Sequence, residues 1–88
     1  MDRKSILEQS IEIVTKDRNT TYGEPEDSFT TIAGLWSAYT GQPFTPQDVA
    51  VMMALLKVAR IKNSPQTLDN WIDLAGYAAC GGGMVEPA

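Results

Sequence analysis

Apolar positions in this chain recur at helical spacing in four stretches separated by short polar breaks. In the first, from Ser5 to Lys16, Leu7, Ile11 and Val14 stand at i, i+4 and i+7, with Ile6 and Ile13 widening the stripe. Ser5 and Glu8 have the spacing of a capping box at its start. Asn19, Gly23 and Pro25 break the pattern, so this helix ends near Asp17. The second helix starts at Glu24-Pro25, with Pro25 in the tolerated first turn and Glu26 and Asp27 complementing the helix N-terminus. It carries Phe29, Ile32, Ala33 and Trp36 on one face, with Leu35 and Tyr39 beside them, and stops at Gly41.

The third stretch opens on Thr45-Pro46-Gln47-Asp48, in which Thr45 caps and Asp48 reaches back. Val49 to Leu56 is then an unbroken run of eight apolar residues. A helix apolar all round is a buried one, so Asp48 to Lys62 is predicted as the central element, ended by Asn63-Ser64-Pro65. It is far too short to span a bilayer. The fourth helix begins between Pro65 and Asp69. Trp71, Leu74, Ala75 and Ala78 form its expected core face, and Asp69, Asp73 and Tyr77 form a separate stripe at i, i+4, i+8. Gly81 to Gly83 are expected to terminate it. No alternating pattern is long enough for a sheet. The chain therefore reads as all-α, a small four-helix bundle in one domain over residues 1–83, followed by a short tail at 84–88.

A domain of 88 residues buries a limited fraction of its surface, so self-association is expected to complete it as a homo-oligomer. Seven basic against eleven acidic residues give a net charge of −4 and argue against a duplex nucleic-acid partner. The single cysteine, Cys80, rules out an internal disulfide and suits a reducing compartment. The absence of histidine removes the usual general base and the commonest zinc ligand, which leaves carboxylate chemistry with a hard metal. The polar N-terminus shows no signal peptide. These features point to the cytoplasm and to no membrane partner.

Lys57 and Arg60 stand at i, i+3 on one side of the central helix. Were helices three and four antiparallel neighbours, Asp69 and Asp73 would come near them, with two outcomes. One is a structural ion-pair network, because buried charges need partners. The other is a ligand site in which Lys57 and Arg60 take phosphate oxygens and Asp69 and Asp73 hold Mg²⁺. In that second case the Arg18 to Gly23 loop contributes Arg18, the stacking surface of Tyr22 and the backbone of Gly23, while Trp36 and Tyr77 add aromatic surface. Glu8 and Glu12, also i, i+4, could share a metal, although acids on the open face of a helix are ordinarily solvated.

The segments RNTTYGEPEDSF, LWSAYTG, DVAVMMALLKVARI and DNWIDLAGYAA resemble a family of small phage and prophage proteins of unassigned function, from Ser5 to Cys80. A more distant resemblance is to the all-α MazG-like nucleoside triphosphate pyrophosphatases and related phage nucleotide-modification proteins. It rests on Lys57, Arg60, Asp69, Asp73 and Tyr77 and on the loop residues Arg18, Tyr22 and Gly23. This resemblance implies an oligomeric helical fold with a nucleotide pocket between helices. In those pyrophosphatases a Glu-x-x-Glu pair and a Glu-x-x-Asp pair hold Mg²⁺ and activate water. Here the central helix has no Glu-x-x-Glu, and helix four offers Asp69 and Asp73 at i, i+4 instead.

The expectation is therefore non-catalytic binding of a phosphorylated nucleotide, linear or a cyclic signalling one, in phage counter-defence. No cofactor is required, although Mg²⁺ is compatible. One alternative is a reduced Mg²⁺-dependent nucleoside triphosphate pyrophosphatase. Another is a protein-interaction module that inhibits a host protein through Glu24 to Asp27.

Overall fold

The computed structural model describes residues 1–17 and 24–85, the side chains of residues 16 and 17 excepted. These residues form four α-helices and no strand. Helix α1 is Arg3–Glu12 and continues into a π-helical turn, Ile13–Asp17; α2 is Pro25–Thr40, α3 is Pro46–Asn63 and α4 is Leu68–Gly83. Ala50 on α3 meets Gly81 on α4, and Lys57 on α3 meets Asp73 on α4, so the two helices run antiparallel. This hairpin is the centre of the molecule. Helix α2 rests on α3, and α1 with its π turn rests on α4.

The punctuation of α2 and α3 follows from local chemistry. Pro25 takes the first turn of α2, and Gly41 ends it with φ 72°, a left-handed conformation that glycine adopts without a Cβ penalty. Thr45 and Asp48 form the reciprocal capping box. The Asp48 N–H donates to Thr45 Oγ1 at 3.1 Å and the Thr45 N–H donates to Asp48 Oδ2 at 2.9 Å. The Ser37 hydroxyl ties α2 to the connection that follows, donating to the Ala33 carbonyl and accepting from the Phe44 N–H.

Helix α1 departs from expectation in its cap and in its face. Asp2 caps it, accepting from the Ser5 N–H at 2.9 Å, and that hydrogen bond holds the Asp2 carboxyl below its ordinary pKa. Ser5 thus sits inside the first turn rather than opening a box with Glu8. Leu7 and Ile11 are exposed, and the docked face consists of Ile6, Ser10, Ile13 and Val14. Ser10 is buried, and its hydroxyl is shared between the carbonyls of Ile6 at 3.0 Å and Ile72 of α4 at 2.8 Å. One turn along α4, a Cβ on Gly76 would lie 3.0 Å from Val14 Cγ1. A serine and a glycine therefore let the two backbones approach closely.

The fourth helix is rotated from its expected setting for the same reason. Its buried residues are Asn70, Ile72, Gly76 and Cys80, whereas Trp71 and Ala78 face outward. The Trp71 indole donates to the Pro65 carbonyl at 3.0 Å. Gly81 to Gly83 do not stop the helix, which runs to a cap at Met84. Gly81 instead admits Ala50, whose Cβ lies 3.2 Å from where a glycine substituent would begin, and Met84 packs on the core.

The core joins Phe29 and Ala33 of α2, Val49 and Ala50 of α3 and Cys80 of α4, with Ile32, Trp36, Phe44, Met53 and Tyr77 packed around them. The expectation that α3 is buried all round fails. Val49 is 0% exposed, yet Val51 and Leu55 are 54% and 61% exposed, with Met52, Leu56 and Val58 also open. Among the described residues, α2 and α4 are the helices that pack closely on α3, and its remaining side stays open.

Candidate functional site

The candidate site is built on the central hairpin. Lys57 lies on the inner side of α3, in line with Ala50, Met53 and Ile61, where the helix buries its side chains. Its Nζ meets Asp73 Oδ2 at 2.8 Å, with the two side chains only 10% and 9% exposed. The distance is that of a charge-assisted hydrogen bond in full contact. Of the two outcomes open to these charges, the structure realises the ion pair for Lys57 and Asp73.

Arg60 and Asp69 do not join it in the interior. Both are exposed, and neither forms an ion pair among the described residues. Arg60 follows Lys57 by three residues, so its guanidinium leaves α3 about 60° around the helix from the buried ammonium. Tyr77, one turn after Asp73, is half-buried beside Phe29, with ring centroids 6.2 Å apart. Trp36 lies on α2 against the core, edge-on to Phe44 at 6.0 Å. Arg18, Tyr22 and Gly23 lie outside the described residues.

Helix α1 ends in the π turn Ile13–Asp17. A π-helical turn is rare and marks functional positions more often than chance. Here the Thr15 hydroxyl takes the Ile11 carbonyl at 2.5 Å, competing with the backbone ladder at the point where the helix widens. Val14 in this turn touches Gly76, three residues from Asp73 on α4. The π turn, the Lys57–Asp73 pair and the Phe29–Tyr77 contact are thus gathered around one stretch of α4.

A hard metal finds a poor cage here. Asp69 is on the surface, Asp73 is committed to an ammonium, and no group of three metal-ligating side chains forms among the described residues. Glu8 and Glu12 line a shallow surface depression on α1 with Ser5, Gln9 and Ile11, and Glu8 faces Lys4 at 3.8 Å. No helix among the described residues is long and apolar enough to cross a membrane.

A family model described as a domain of unknown function, DUF6378, matches residues 5–85. The chain belongs to the DUF6378 family. Its relatives include the Gene 55 protein of Mycobacterium phage L5, 47% identical over 75 residues, and the Gene 55 protein of Mycobacterium phage D29, 40% identical over 77 residues. The aligned regions cover 84% and 88% of this chain but 48% and 51% of those proteins, so the chain spans about half the length of the curated relatives it matches. The expectation of a small phage family thus holds. No solved structure matches this DUF6378 chain.

The features that the sequence reading missed are the buried Ser10, the Gly76 contact and the π turn. Ser10 carried a signal, since it stands at i+4 from Ile6 and i−4 from Val14, a polar residue inside an apolar row.

Proposed function

We propose that this DUF6378 chain binds a phosphorylated nucleotide, linear or cyclic, without turning it over, and that it does so in the cytoplasm of an infected cell as a phage counter-defence protein. The observation that supports this reading is the buried Lys57–Asp73 pair. A buried ion pair is seldom more stabilising than apolar side chains of the same volume, so stability alone gives little reason to keep one in so small a core. An ammonium has three donors and Asp73 occupies one of them, which leaves Lys57 able to meet phosphate oxygens while being held in place. Arg60 beside it offers a planar fork suited to phosphate. On this reading the four helices form a unit of the MazG type, and Arg18, Tyr22 and Gly23 contribute to ligand binding together with the aromatic surface of Tyr77 and Trp36.

The test is to incubate the purified chain with pooled nucleoside triphosphates and cyclic oligonucleotides, with and without Mg²⁺. The filtrate and the heat-released protein fraction are then analysed by chromatography. The expected result is one intact nucleotide recovered only after denaturation. Arg60 is exposed, so the Arg60→Ala variant should lose that nucleotide while melting as the parent does. Absence of any retained nucleotide overturns the proposal. Pyrophosphate in the filtrate, appearing only with Mg²⁺ and lost in Asp73→Asn, would replace it with a MazG-type pyrophosphatase. A phenotype lost on charge reversal of Glu24, Glu26 and Asp27, with no ligand found, would replace it with a protein-interaction module.

A further inference from the structure

The outward side of α3 carries a pattern that neither the core nor the ion pair explains. Asp48, Val51, Leu55, Val58 and Lys62 succeed one another at spacings of three, four, three and four, which places them on one stripe about 21 Å long. All five are exposed, Val51, Leu55 and Val58 at 54%, 61% and 48%. The stripe reads nearly the same from either end except for its charges, with an acid at the N-terminal end and a base at the C-terminal end. Beside it runs an open apolar groove of about 420 Å³ between α3 and α4, floored by small residues including Ala54, Ala78 and Gly82 and closed at one end where the Gln47 side chain donates to the Gly81 carbonyl.

We infer that a second copy of this chain packs on this stripe, with the two α3 helices antiparallel about a two-fold axis at Leu55. A two-fold interface must be self-complementary, and this one is. Leu55 faces the partner's Leu55, Val51 lies alongside the partner's Val58, and Asp48 reaches the partner's Lys62 at each end of the seam. A parallel pairing would instead set the two acids together and the two bases together. The ridge of each copy borders its own groove, so each ridge has small residues opposite it to pack on. Val51 and Arg60 are nine residues apart and so lie on opposite sides of α3. The dimer therefore leaves the Lys57–Arg60 side open, and the inference stands apart from the ligand proposal.

The experiment is analytical ultracentrifugation of the full chain, paired with cross-linking through introduced cysteines. The parent should sediment at twice 9.6 kDa. The Leu55→Glu variant should sediment as a monomer with its helical signal intact, because Leu55 is exposed in the single chain. Lys62→Glu should weaken association about tenfold by setting acid against acid at both ends. In the Leu55→Cys variant, mild oxidation should give a covalent dimer in high yield. The Leu35→Cys variant, altered at an exposed apolar position on α2, should not cross-link. A monomeric parent overturns the inference, and so does a dimer that survives Leu55→Glu or cross-links equally through position 35.

Discussion

Lys57 and Asp73 are the residues on which stability and function meet. Each side chain is about nine-tenths out of water, and their charges are compensated at 2.8 Å. Removing one partner strands the other charge, which in buried pairs typically costs about 3–5 kcal/mol. Lys57→Met keeps the length and apolar stem of lysine and deletes only the ammonium. This variant is expected to lose a few kcal/mol in urea unfolding, and Lys57→Met with Asp73→Leu to recover most of the loss. If the double variant folds as stably as the parent yet retains no nucleotide, the pair serves binding rather than the fold. Recovery of both stability and binding would leave the pair with no role in the site.

At the scale of the element, helix contacts here are set by the smallest residues. Gly76 lies inside α4, where glycine costs ~0.5–1 kcal/mol relative to alanine. Its Cβ position is 3.0 Å from a methyl of Val14, whose branched side chain has little freedom to move away. Gly76→Ala is therefore expected to destabilise the chain by ~1–3 kcal/mol through overpacking, and Val14→Ala in the same chain to relieve the clash. Gly34, exposed within α2, has nothing within 4 Å of its Cβ position, so Gly34→Ala should stabilise by ~0.5–1 kcal/mol. Thermal melts of the variants separate the two effects by sign. These contacts also explain what the sequence could reveal. Pro25, Gly41 and the Thr45–Asp48 box act through their own backbone and predicted α2 and α3 closely. The docking faces of α1 and α4 depend on what lies opposite. Helical spacing of apolar residues pointed to Leu7, Ile11, Trp71 and Ala78, whereas close approach selected Ser10, Ile72 and Gly76. The candidate site was half legible for the same reason. Helical spacing brought Lys57 to Asp73, but the sequence had no means of leaving Arg60 and Asp69 in solvent.

The whole molecule is open for its length. Its radius of gyration is 13.7 Å, against about 12 Å for a compact domain of 88 residues, and its buried apolar core rests on few side chains. Small domains are marginal because folding buries a smaller fraction of their surface than it does in larger ones. An α3 seam shared between two copies would give this chain the third wall that its apolar run requires. Folding would then be linked to association, and stability would depend on concentration. For a dimer that unfolds to two separate chains, a hundredfold rise in concentration adds about 2.7 kcal/mol per dimer and should raise the melting temperature by roughly 7 °C. Calorimetry over that range is the direct check, with Leu55→Glu expected to melt lower and independently of concentration. A parent whose melting temperature does not move with dilution would mean that the single chain is stable with its α3 stripe in water. Val51, Leu55 and Val58 would then be a surface feature rather than an unfinished core.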